Sequence, residues 1–238
     1  MNPNENPYAS PMTETAQMAA TEARADFILK TYLHLAGAIA AFIGLEAILL
    51  NLPITESAVG LMVGSKFGWL IVLLAFIGVS TLASNWASSA TDTTTQYLGL
   101  GLYVLAEAVI FAPLLFIIQR IDPAIIPAAA YTTLGLFGVL TAVVMITRSD
   151  FSYLRSILVF GGLAALGLIV VSILFQFALG PVFTYAMIAL ACCYILYDTS
   201  NVLHHYRIGQ HVAASLALFA SVALLFWYIL RLFLMRRD

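Results

Sequence analysis

Residues 181–201 read PVFTYAMIALACCYILYDTSN, and this stretch decides the fold. Positions 181–196 run without a charge and then meet Tyr197-Asp198-Thr199-Ser200-Asn201. A membrane-spanning helix needs about 20 mostly apolar residues, so the run plus its polar end is the length of one span. Six further segments of the same kind surround it, at 27–50, 67–83, 97–118, 123–147, 154–179 and 212–234. The chain therefore reads as an all-α polytopic membrane protein, a bundle of seven transmembrane helices. Asp198 is its most informative residue. A carboxylate at membrane depth costs about 2.5–3.5 kcal/mol on insertion scales, so it marks a candidate functional site.

Composition excludes the soluble alternative. The hydrophobic fraction is 62%, the charged fraction 9% and the mean hydropathy +0.98, where a soluble domain carries about 25% charged residues. The net charge of −2 leaves no basic footprint for nucleic acid. Continuous apolar runs also exclude a β-barrel, which needs short alternating segments. Cys192 and Cys193 are adjacent inside a span, poorly placed for an ordinary disulfide, and read as packing residues.

Two regions organise the chain. Residues 1–26 are polar, lack the basic start and apolar core of a secretory signal, and read as a disordered tail with a helical stretch within 13–25. Residues 27–238 form the transmembrane domain. Its loops are short, so successive helices are antiparallel neighbours. The segment with Pro53, Glu56 and Lys66 reads as a loop, as does the Ser/Thr-rich stretch 84–96. Ser215, Ser221, Trp227 and Tyr228 suit protein contacts better than lipid, so the last helix is expected at the bundle centre. Lys and Arg number 5 on each face of a seven-span chain. Counting only the N-terminal flank and internal loops gives 5 against 2, which favours a cytoplasmic N-terminus.

Four ionisable residues within the spans stand out. Glu46, near the end of the first, reads as an interfacial carboxylate, and His34 as an interfacial or hydrogen-bonded imidazole. Glu107 sits mid-span, about 15 Å in from Tyr97 at 1.5 Å per residue. Asp198 is about 8 Å from the same face by the same rise. The two carboxyls are therefore placed to meet at related depths, or each is separately satisfied by hydroxyls and backbone and only fixes packing. No nucleophile–base pair or phosphate loop is present, and His204, His205 and His211 lack the i, i+4 pairing of helical metal sites. The last span holds no lysine for a retinal Schiff base. The expectation is a protein that is not an enzyme and carries no cofactor or metal.

The stretch Ile195-Leu196-Tyr197-Asp198-Thr199-Ser200-Asn201-Val202-Leu203-His204 resembles the sixth-helix signature of the Bax-inhibitor family (transmembrane Bax inhibitor motif proteins). Lys30-Thr31-Tyr32, Glu107-Ala108 and the closing Leu230-Arg231-Leu232-Phe233 are similar too, and the order of the parts agrees over nearly the whole chain after residue 26. The resemblance implies seven helices with a central last helix and, for some members, a pH-sensitive Ca²⁺ leak. In those members an aspartate pair between helices six and seven biases an open state when protonated. Asp198 matches the first aspartate. Ser221 stands at or beside the second, and the last span contains no carboxylate; nor does the second span carry the arginine that some bacterial members place there. A bacterial branch with the same Asp-Thr-Ser and a non-acidic last helix is linked to modulation of a membrane-bound ATP-dependent protease. The resemblance thus implies a cation leak in which Asp198, Glu107 and Ser221 form the proton sensor and ion pathway. The alternative is a regulatory protein acting on a membrane protease or another membrane partner. Either would lie in a membrane, the bacterial inner membrane being the expected one, with lipid and Ca²⁺ the expected small partners.

Overall fold

The computed structural model describes residues 15–64, 67–89 and 92–236. Its described elements are all helical: α1 (Thr21–Leu49), α2 (Pro53–Gly64), α3 (Gly68–Ala87), α4 (Thr93–Ile121), α5 (Ile125–Thr147), α6 (Leu154–Phe175), α7 (Pro181–His204) and α8 (His211–Met235). Seven of them are long and apolar enough to cross a membrane, and α2 is the short exception. The expected loop around Pro53 is thus partly helical. Pro53 opens α2, the position where its missing N–H costs nothing.

Two further boundaries differ from the sequence reading. The stretch 84–96 is mostly helix: α3 continues to Ala87, and α4 starts at Thr93. Asp92 makes that start possible. Its carboxylate accepts from Thr94 N–H at 3.0 Å, Thr95 N–H at 3.1 Å and Thr95 Oγ1 at 2.7 Å, a full N-cap. These bonds hold the Asp92 carboxyl below its ordinary range, the Thr95 hydroxyl foremost. The tail expected over 1–26 lies outside the described residues for 1–14. From Thr15 it is tied down, because Thr15 pairs with Arg207 in an isolated antiparallel bridge and Ala16 N–H donates to Tyr206 O at 2.9 Å. Ala16 is fully buried and α1 begins at Thr21, six residues earlier than the span read from the sequence.

α8 runs through the middle, packed against α1, α3, α4, α5 and α7. It is the most buried span, although α6 is more apolar and the least buried. Lipid tails are as apolar as leucine, so apolarity does not decide what goes inside; small and polar residues do. α8 supplies them as Ala213, Ala214, Ser215, Ser221 and Ala223, all buried. α3 and α4 approach closely through Gly99. A Cβ there would lie 2.4 Å from Ala87 N and 2.6 Å from Ala83 O, distances no side chain tolerates.

Candidate functional site

Asp198 and Ser221 meet across the α7–α8 seam. Ser221 Oγ donates to Asp198 Oδ2 at 2.5 Å, and the two residues are 4% and 8% exposed. The local sequence explains the meeting. α7 enters at Pro181 after Gly180 and runs unbroken, which carries its charge-free face inward and brings Asp198 to α8 two turns before His204. Thr199 and Ser200 are also buried. Ser200 Oγ accepts from Phe151 N–H at 2.9 Å, so the turn after Asp198 is anchored to the α5–α6 loop.

Asp198 and Ser221 line one wall of a cavity of about 860 Å³ bordered by α3, α4, α6, α7 and α8. Glu107 of α4 lines it as well and is 6% exposed. Tyr103, one turn before Glu107, shares the cavity and lies within electrostatic reach of both carboxyls. The structure therefore brings Asp198, Ser221 and Glu107 to one space. The bond that Asp198 makes is to Ser221 and not to Glu107. Above the carboxyls, Tyr206 of the α7–α8 loop closes one end. Burial pushes its hydroxyl well up, and the nearby Asp198 charge adds to the effect. At the other end Arg231 lines the cavity and donates to Leu179 O at 2.5 Å.

Glu46 is not the interfacial carboxylate the sequence implied. It is 5% exposed, on the buried stripe of α1 formed by Thr31, Leu35, Ala38 and Phe42, and both its carboxyl oxygens lack a hydrogen-bond partner among the described residues. The first span ends three residues beyond it, and α2 follows where a wet loop was expected. His34 is partly exposed, with one ring nitrogen 2.6 Å from Lys30 O and the other 3.0 Å from Tyr97 Oη. Its ring lies 4.9 Å from that of His211, the first residue of α8.

The sequence reading missed Tyr103 and Arg231 as site residues. Tyr103 could have been found from its i−4 spacing to Glu107. Arg231 carried no such signal, since its place on the cavity follows from where α8 sits. A buried hydroxyl trio was also missed: Tyr32 of α1, Thr141 of α5 and Thr199 of α7 face one another, each outside hydrogen-bond geometry. Among the described residues no three His, Cys, Asp or Glu side chains converge to hold a metal.

Seven spans, one of them a buried central helix, with a hydrogen-bonded carboxyl on the wall of a cavity, define a polytopic membrane protein of the Bax-inhibitor kind. The chain belongs to the family described as inhibitor of apoptosis-promoting Bax1, whose model matches residues 24–238. It is also similar to an uncharacterized protein of Pseudomonas aeruginosa, PA2604: 28% identical over 169 residues, covering 68% of this chain and 72% of that one.

Proposed function

We propose that this protein is a pH-responsive cation leak of the membrane, with Ca²⁺ as the permeant ion, and that it works without catalysis. The observation that carries the reading is the Asp198–Ser221 bond on the wall of the cavity. An ionised Asp198 accepts the hydrogen bond of the Ser221 hydroxyl and holds α7 to α8. Protonation removes the buried charge and weakens the strongest polar contact across that seam, which biases a closed-to-open equilibrium. Glu107 and Asp198 on one cavity suit a cation and disfavour an anion. Toward the other end Trp69 and Phe111 each pack edge to face with Trp227, with Trp69–Trp227 centroids at 6.1 Å and Phe111–Trp227 at 5.0 Å. These rings are the barrier that opening must displace. The membrane proposed is the bacterial inner membrane, with the N-terminus cytoplasmic.

A second reading, regulation of a membrane-bound protease or another membrane partner, draws on a different observation. Thr15 and Ala16 are fastened to Tyr206 and Arg207, and Tyr206 borders the Asp198 cavity. A partner that grips the polar segment before residue 15 would pull on this loop. Purified protein in sealed liposomes separates the two readings. The leak requires that the protein alone carry Ca²⁺ down its gradient, faster at acid pH. Tight vesicles at every pH would leave the partner reading standing and remove the leak.

A further inference from the structure

The cavity is chemically divided, and an ion path explains only one part of it. Its carboxyl-bearing end holds Glu107, Asp198 and Ser221. Its middle is apolar, walled by Leu73, Phe76, Ile110, Leu166 and Ile169. Its far end holds Arg231. A volume of about 860 Å³ falls in the range of sites that enclose a whole small molecule, about 300–1,000 Å³, and an apolar wall with a few convergent polar groups is the usual lining of such sites.

The way in is lateral. α3 and α6 form opposite walls and barely touch, unlike the tightly packed pairs α3–α4 and α7–α8. The outer faces of the same two helices present Ile71, Leu74, Phe160 and Leu163, each at least 58% exposed. The seam between them therefore faces acyl chains, not water. Arg231 sits one turn before the end of α8, at the level where a span meets headgroups. Its guanidinium gives one bond to Leu179 O and, among the described residues, pairs with no carboxylate. A guanidinium has five donors in a fixed fork, so donors remain for a phosphate, which it binds bidentately.

We propose that the cavity takes one acyl chain of an anionic phospholipid, admitted between α3 and α6, with the headgroup phosphate held by Arg231. From Arg231 to Ser221 α8 runs about 15 Å, so the chain lies along the apolar middle and points toward the carboxyl end. A chain moving from bilayer to cavity exchanges one apolar setting for another, as helices do when they associate in lipid. Selectivity therefore resides in the Arg231–phosphate pair, and the site prefers anionic to zwitterionic lipid. The proposal does not depend on ion conduction.

Trp69 and Trp227 line the cavity near Arg231 and report its contents directly. Trp86, 37% exposed, is the remaining tryptophan, and Trp86→Phe removes its signal. The Trp86→Phe protein is reconstituted in phosphatidylcholine vesicles containing increasing fractions of brominated phosphatidylglycerol or brominated phosphatidylcholine. The expected result is half-maximal quenching at a several-fold lower fraction of the anionic lipid. Arg231→Gln should erase that difference, and Arg231→Lys should keep part of it. Equal quenching by both lipids would overturn the proposal, as would a preference that survives Arg231→Gln. A lowered melting temperature in Arg231→Gln with the preference intact would assign Arg231 to anchoring the α6–α7 loop instead. The readout is occupancy, so it stands or fails whether or not the protein passes Ca²⁺.

Discussion

α8 is buried on two sides that are built differently. Toward α1 and α4 the space is filled by rings: Phe42 against Phe111 at 5.2 Å, Phe42 against Phe219 at 6.0 Å, Tyr103 against Phe219 at 6.2 Å and Phe111 stacked on Phe226 at 5.6 Å. Toward α6 and α7 the cavity remains, with residues 103–111 of α4 as the wall between the two sides. The two buried serines of α8 follow the same division. Ser215 Oγ turns back to its own helix, donating to Val212 O at 2.8 Å, whereas Ser221 Oγ crosses to Asp198. One side of the central helix holds the bundle together and the other borders the cavity. A helix can be central for both reasons at once.

Truncation on the two sides should cost unequally. Phe219→Ala empties a fully packed region and is expected to lower unfolding stability in mixed micelles by about 3–5 kcal/mol. Leu224→Ala borders space that already exists and should cost less than half as much. Equal losses would mean that the cavity is no looser than the ring-filled side. Next in size is the α3–α4 contact beside the site. Gly99→Ala drives a methyl into the backbone of Ala83 and Ala87 and should cost about 1–3 kcal/mol. Gly101→Ala meets nothing within 4 Å and should instead stabilise the helix by up to about 1 kcal/mol. Thermal unfolding of the two variants must therefore shift in opposite directions.

The serines give a finer cut. Ser221→Ala leaves the buried Asp198 carboxyl without its hydroxyl partner, for an expected loss of about 1–3 kcal/mol. Ser215→Ala removes a bond within one helix and should cost less than about 1 kcal/mol. If the order is reversed, Ser221 is not the partner that matters. The smallest effect expected lies outside the membrane. Asp150, in the α5–α6 loop, is held below its ordinary carboxyl range chiefly by Ser152 N–H at 2.8 Å, with His205 and His204 adding to it. A lowered folded-state value means stability present above the unfolded-state value and lost as pH falls through the folded one. Asp150→Asn should lower stability slightly near neutrality and leave it unchanged at acid pH, which flattens the acid side of the profile.

The sequence carried the spans because lipid demands long apolar helices whatever they pack against. It also carried Asp198, because a charge at membrane depth stands out in any reading. Ser221 came from the family resemblance, which placed a non-acidic residue where a second aspartate was expected. Glu46 was misread because its last turn looked like an edge; α2 follows the first span there, and tertiary packing was not visible in local pattern. Arg231 was hidden for a related reason. Which residues line a cavity depends on how five helices are arranged around α8, and seven apolar runs of similar character do not encode that arrangement locally. The α4 start was hidden by composition: Ser and Thr residues usually mark loops, yet Asp92 turns Thr93–Thr95 into a first helical turn.

Flux through Asp198→Asn in sealed proteoliposomes tests directly the proposal that Asp198 is the proton sensor. The asparagine keeps the size and mimics the neutral acid, so Ca²⁺ flux should lose its pH dependence and stay at the acid level of the parent protein. Ser221→Asp, which restores a carboxyl pair, should give a steeper response than the parent. If Asp198→Asn leaves both the flux and its pH dependence as they were, Asp198 is a packing residue and the proton-sensor account is contradicted.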